Sequence, residues 1–320
     1  MTRAAIVLDC DPGLDDAVAI LVACRYANLV AITTVNGNVD VDKTTRNALV
    51  VTQVAGIDVL VHRGSAQPLV PHDINAGHVH GESGLGGEIT MPITRTVASD
   101  DAVGFLVDVT RARDDIHLVA VGPLTNVALA IRRDAAFASR LRSLTIMGGA
   151  AHGGNVTAAA EFNIYVDPEA AAIVFDSGIC VRTISLDITH HVIAGSRHLA
   201  QLQGARTPTA VFVAGLLAHY QRIGSSVSVP ALGALHDPCA VLAVTNPELF
   251  GLVPRRVDIE LDGHLTRGMT VVDARPGVAA AEQNALVGYS VDADRVIDMI
   301  VTAAIDPTGV GTSLATPGSP

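Results

Sequence analysis

The sequence predicts an α/β fold: a single large domain with a mostly parallel, open, Rossmann-like central sheet, helices on both faces, and a C-terminal β-hairpin with further helices. Three observations predict it. Short runs rich in Ile, Val and Leu alternate with longer helical patterns. The strand-like runs are apolar almost throughout, as expected where helices cover both faces of a parallel sheet. At 320 residues and 49% hydrophobic content, the chain exceeds an average domain and has the apolar material for one large sheet and its core.

The elements follow in order. Strand-like Ala5–Leu8 leads to helical Asp16–Tyr26, strand-like Leu29–Thr34, helical Asp42–Ala55 and strand-like Val59–His62. After a Gly- and His-rich stretch the rhythm resumes with helical Asp101–Ala112, strand-like Ile116–Val121, helical Leu124–Arg132, strand-like Ser143–Met147, helical Pro168–Asp176 and strand-like Val181–Leu186. The last third differs: helical Thr209–Arg222 and Pro238–Val244, a strand pair Val253–Leu261 and Gly268–Val272 read as a hairpin on the same domain, and a final helix near Ala293–Ala304. The domain is expected to span residues 1–305, and 306–320, rich in Gly, Pro, Ser and Thr, to form a loose tail.

Bulk properties exclude several roles. A formal charge of -11 disfavours non-specific attraction to nucleic acid or an anionic membrane surface. Cys10, Cys24, Cys180 and Cys239 are scattered, with no C-x-x-C pair, so neither a zinc site nor a disulfide framework is suggested. The apolar run after Met1-Thr2-Arg3 is too short for a signal peptide, and the longest one, Val18 to Val35, is broken by Arg25 and Asn28. A soluble, cytoplasmic protein is expected.

In open parallel sheets, ligands sit beyond the carboxyl ends of the strands. That rule selects Asp9–Asp16, Asn36–Asn38, Val121–Leu124, Met147–Asn163, Asp187–Thr189 and His236-Asp237. The strongest local signal is Asp9-Cys10-Asp11-Pro12-Gly13-Leu14-Asp15-Asp16, which places four carboxylates in eight residues at a strand end. Mutual repulsion and desolvation there call for a cation or raised pKa values, and oxygen donors without thiolates favour calcium or magnesium over zinc. Two other readings stay open at this point. Asp15 and Asp16 would also serve a helix N-terminus as caps. Asp9 and Asp11 have the spacing of a haloacid-dehalogenase-type phosphatase loop, although the chain's one lysine, Lys43, lies in a helical stretch and not at a strand end.

Asp9 to Ala17 resembles the N-terminal signature of the inosine-uridine-preferring nucleoside hydrolases. Further matches follow in family order: Gly37-Asn38, His80-Gly81, Val121-Gly122-Pro123-Leu124-Thr125-Asn126, Met147-Gly148-Gly149, Ala160-Glu161-Phe162-Asn163, Asp167-Pro168-Glu169-Ala170-Ala171 and His236-Asp237. The resemblance implies a calcium ion held by Asp11, Asp16, the Val121 carbonyl and Asp237, with Asp11 accepting a proton from a metal-activated water that attacks the anomeric carbon. It also implies that Asp15, Asn38, Asn155, Glu161 and Asn163 bind the ribose hydroxyls, that Met147 lies beneath the ring, that His80 belongs to a pocket loop, and that His236 handles the leaving base. Cleavage then passes through an oxocarbenium-like ribosyl cation, which needs electron-rich groups around the ring.

One segment departs from the family pattern. Related enzymes place aromatic residues before the His-Asp pair, whereas here only Tyr220 is available and the following residues are mainly Ser and Val. The chain has no Trp for indole stacking, which together with His236 favours a pyrimidine-preferring or broad inosine-uridine type. A homodimer or homotetramer is implied by the resemblance. Two competing functions are a hydrolase of another N-ribosyl compound and a non-catalytic, calcium-stabilised ribose-binding protein.

Overall fold

β1 (Ala5–Cys10) is buried at every residue, a pattern only a central strand can show. Together with β2 (Asn28–Thr34), β3 (Leu60–Arg63), β4 (Ile116–Ala120), β5 (Ser143–Met147), β6 (Val181–Ile184), β7 (Phe250–Ile259), β8 (Thr270–Asp273) and β9 (Ala285–Val291) it forms one sheet in the order β3-β2-β1-β4-β5-β6-β9-β7-β8. This is a computed structural model, and it describes residues 3–72, 74–87, 91–227 and 233–309. Pairing is parallel from β3 through β9, and antiparallel from β9 to β7 and from β7 to β8. The chain is a single α/β domain, as the alternating apolar runs predict.

Strand residues alternate between two core layers. Ile6, Leu8 and Cys10 face the helices Leu14–Tyr26, Val41–Ala55, Pro208–Val227, Asp237–Thr245 and Ala293–Ile305. Ala5 and Val7 face the helices Ala102–Ala112, Thr125–Arg133 and Pro168–Phe175. Among the described residues, no helix is long and apolar enough to cross a membrane.

Two expectations beyond β5 are corrected. The hairpin forms, with Val257 opposite Val272, but it joins the sheet through β9, a strand that the sequence reading missed. The apolar run expected to extend from Val181 to Leu186 instead ends at Ile184, and Leu186–Thr189 turns into a short helix above the strand end. The expected tail begins tied down, since Arg25 donates to Asp306 at 2.8 Å; its residues 310–320 lie outside the described residues.

Asp167 shows how loops are anchored under the site. Its fully buried carboxylate caps the helix Pro168–Phe175 through Ala170 N (3.0 Å) and also accepts from Thr125 Oγ1 (2.6 Å) and Leu69 N (2.9 Å). Losing it strands three donors, two of them on buried residues. Asp167→Ala is expected to destabilise the fold by about 3 kcal/mol, from the lost cap and the unsatisfied groups. Urea unfolding would register this as a lower midpoint at unchanged slope; a midpoint equal to wild type would refute it.

Candidate active site

The site is built at the carboxyl ends of β1, β2, β4 and β5. Beyond β1 the chain turns through Asp11, Pro12 and Gly13 into the helix Leu14–Tyr26, and Asp16 in its first turn folds back on that loop. Asp16 Oδ1 accepts from Asp11 N at 3.0 Å, and Oδ2 accepts from Gly13 N at 2.9 Å. Asp16 therefore caps the helix, and the same carboxylate stands in the acidic cluster. The cap reading and the cluster reading are one arrangement.

Asn38, beyond β2, ties the loop together. Its backbone N–H donates to Asp11 Oδ2 (2.7 Å), and its side-chain amide donates to Asp11 O and Asp16 Oδ2 (both 3.1 Å). The approach is so close that a Cβ on Gly37 would lie 2.1 Å from Asp11 Oδ2, so only glycine fits. Asp9 lies beneath, fully buried, accepting from Asn126 Nδ2 at 2.8 Å and from Thr33 Oγ1 at 2.5 Å.

Asp237, at the start of the helix Asp237–Thr245, completes the cluster. Carboxylate oxygens of Asp15, Asp16 and Asp237 lie within 4.8 Å of one another, all buried. Burial, reinforced by the neighbouring carboxylates, pushes Asp11 and Asp237 well above the usual carboxylate range and Asp16 up to about 7. Asp11 Oδ1 is buried without a hydrogen-bond partner among the described residues. Cys10 is no competing ligand: burial and the surrounding aspartates raise its thiol, which donates to Thr33 O. An oxygen-only set of crowded carboxylates with one orphaned oxygen fits a hard divalent cation.

On the β4 and β5 side, the Val121 carbonyl accepts from Asn163 Nδ2 at 2.8 Å, and the same amide reaches Met147 O at 3.1 Å. Glu161 caps the helix Phe162–Val166 through Asn163 N (2.9 Å) and Ile164 N (3.2 Å), and also accepts from Gly149 N (2.9 Å). Burial pushes Glu161 up to about 7. Met147, Glu161 and Asn163 are thus brought together beside Val121. Asn155 stays exposed, and its Oδ1 accepts from Phe162 N at 2.9 Å.

On the opposite rim, His80 Nδ1 accepts from Leu14 N (3.1 Å), and its ring meets Tyr220 edge-on at 6.1 Å. Tyr220 is buried and donates from its hydroxyl to Asp15 Oδ1 at 3.2 Å. The stretch following Tyr220 lies partly outside the described residues, 228–232 among them. His236 pairs through Nδ1 with Thr189 Oγ1 at 2.7 Å and packs edge-on against His190 at 5.7 Å; burial lowers its pKa. Sequence reading selected the segment Asp187–Thr189 by its strand-end position, yet nothing in it marked Thr189 as the partner of His236. It likewise quoted Asn126 in a motif without seeing that it holds Asp9. The phosphatase alternative has no support, because Lys43 is half-exposed and paired with Asp40 at 3.1 Å.

A parallel sheet whose strand ends gather buried carboxylates into a cation-sized cluster, flanked by amide and imidazole groups, defines a metal-dependent α/β enzyme. Residues 6–298 match the inosine-uridine preferring nucleoside hydrolase family, and the chain belongs to it as a hydrolase of ribonucleosides. It is 43% identical over 277 residues to the inosine-uridine preferring nucleoside hydrolase of Crithidia fasciculata, covering 84% of this chain and 88% of the relative. It is 37% identical over 297 residues to the pyrimidine-specific ribonucleoside hydrolase RihB of Escherichia coli K12, covering 92% and 95%. Among solved structures, a purine-preferring ribonucleoside hydrolase from Gardnerella vaginalis superposes with a TM-score of 0.88 at 30% identity, covering 95% of this chain and 99% of that one.

The carboxylates tie metal binding to pH. Asp9 is pushed up to about 6, and Asp16 and Glu161 to about 7, all above their ordinary values near 4. A raised folded-state pKa means stability that is present below the unfolded pKa and lost as pH rises through the folded one. The metal-free protein therefore loses stability from this cluster between about pH 4 and pH 7. A divalent cation offsets that loss, so its addition is expected to raise Tm more at pH 7 than at pH 5. Calorimetry at the two pH values tests this, and equal shifts would count against it.

Proposed function

We propose that the chain is a calcium-dependent ribonucleoside hydrolase, pyrimidine-preferring or of the broad inosine-uridine type. The observation that carries the reading is the buried, partnerless Asp11 Oδ1 beside the buried carboxylate group of Asp15, Asp16 and Asp237. Asp11, Asp16, Asp237 and the Val121 carbonyl are the proposed calcium ligands, with Asp15 adjacent. When bound, calcium supplies positive charge that acidifies water at the site and draws in the 2′- and 3′-hydroxyls of ribose.

Asp11 is the proposed base: one carboxylate oxygen accepts from Asn38 N and the other is buried without a partner among the described residues, which leaves it to take a proton from the attacking water. The water oxygen joins the anomeric carbon while the bond to the nucleobase breaks and its electron pair leaves with the base. Asp15, Asn38, Asn155, Glu161 and Asn163 are assigned to the ribose hydroxyls, orienting the sugar as positive charge develops on it. Met147 is assigned beneath the ring, and His80 and Tyr220 to the rim of the pocket. His236 is assigned to the leaving base, as donor of a hydrogen bond or a proton. With no Trp for indole stacking, and with relatives named for inosine-uridine and pyrimidine substrates, the pyrimidine or inosine-uridine preference is the better-supported one. The proposed setting is cytoplasmic purine and pyrimidine salvage, as a homodimer or homotetramer.

Ribose release from uridine, cytidine, inosine and adenosine, by wild type and Asp11→Ala, with calcium or with a chelator, tests the whole reading. Asp11→Ala is expected to lower kcat by about 10²- to 10⁴-fold, the range for loss of a general base. Metal removal should abolish turnover, and uridine or inosine should lead the ranking. A folded, calcium-loaded wild type that frees no ribose from any of the four would sink the proposal.

A further inference from the structure

We infer that Thr189 is a positioning residue that fixes the tautomer of His236, with the ring proton on Nε2 facing the leaving nucleobase. The inference rests on the assignment of His236 to the leaving base made above. A neutral imidazole carries one N–H, and the partner of one nitrogen decides which nitrogen holds it. Here Nδ1 lies 2.7 Å from the Thr189 hydroxyl, and either atom could be the donor on distance alone.

Burial of Thr189 settles the direction. The residue has 0% exposure, so water cannot reach its hydroxyl, and among the described residues His236 Nδ1 is the one partner that Oγ1 has. Were Nδ1 to carry the proton, the threonine O–H would be buried with nothing to accept it, which is the costlier arrangement. The hydroxyl therefore donates, Nδ1 accepts, and the imidazole proton sits on Nε2. The Thr189 hydroxyl thus occupies Nδ1 and leaves Nε2 to present the ring N–H.

The surrounding backbone holds the pair in register. Thr189 ends the short helix Leu186–Thr189, and the segment after it bridges the segment before His236 in antiparallel fashion. Leu235 N donates to Val192 O at 2.9 Å, and Ala194 N donates to Gly233 O at 3.1 Å. His190 packs its ring edge against His236 at an interplanar angle of 72°. Thr189 is thus placed to act on the ring, not on substrate.

The test combines a spectroscopic and a kinetic readout on the calcium-loaded enzyme. Long-range proton–nitrogen correlation on histidine-labelled protein, with His236 assigned by its loss in His236→Ala, should show the ring proton on Nε2; a proton on Nδ1 overturns the inference whatever the variants do. Thr189→Val should lower kcat/KM on uridine about tenfold to a hundredfold, the usual cost of removing a histidine's orienting partner. It should leave para-nitrophenyl β-ribofuranoside, whose leaving group needs no donor, close to wild type, and Thr189→Ser should restore uridine turnover. Equal losses on both substrates, or none, overturn it. If His236→Ala itself loses equally on both substrates, the assignment of His236 to the leaving base fails first and takes this inference with it.

Discussion

Like charges buried together dominate this molecule. Four aspartates converge at the carboxyl end of the sheet, where two full charges about 4 Å apart repel by about 4 kcal/mol even at an effective dielectric constant near 20. The fold opposes that repulsion with what the backbone can supply. N–H groups of Asp11, Gly13 and Asn38 point at the Asp16 and Asp11 carboxylates, and the N-terminus of the helix Leu14–Tyr26 adds its partial positive charge. These donors reach Asp11 Oδ2 but not Oδ1. The site is assembled to want a cation, and metal dependence follows from that unsettled charge.

The arrangement under the cluster is correspondingly rigid. Asn126 bridges Asp9 to the Thr34 carbonyl and accepts from Ser65 N at 2.9 Å, joining the ends of β1 and β2 to the loop after β3. Gly37 and Gly122 let the chain pass against both oxygens of Asp11, where a Cβ would intrude. A carboxylate held this closely loses little freedom when it engages a ligand, the condition for a preorganised base.

Much of the parallel half was legible because periodicity and position agree there. The apolar runs of β1, β4 and β5 announce buried strands, and the strand-end rule then finds Asp11, Asn38, Val121 and Met147 without any tertiary information. Where the sequence misled, a local signal carried a tertiary meaning. β9 went unread, and its Gly288 marks a close approach: a Cβ there would stand 2.0 Å from Ile188 Cδ1. The bond from Tyr220 to Asp15 spans 205 residues and leaves no trace in spacing. Nor does a pattern distinguish Thr189 from any other buried threonine.

That glycine ties the short helix Leu186–Thr189 to the sheet. Because β9 has no side chain at Gly288, Ile188 can settle against it, and the short helix Leu186–Thr189 is thereby seated beside the segment that carries His236. The proposed sugar end of the site hangs on β1, β2, β4 and β5, whereas the proposed leaving-group end hangs on the β6 exit, β9 and the start of the helix Asp237–Thr245. The two ends are joined at the His236-Asp237 peptide, one residue facing each way in the proposed scheme. Because the Asp11 and Asp16 carboxylates hang on β1 and its helix, a change on the proposed leaving-base side can leave their backbone donors in place.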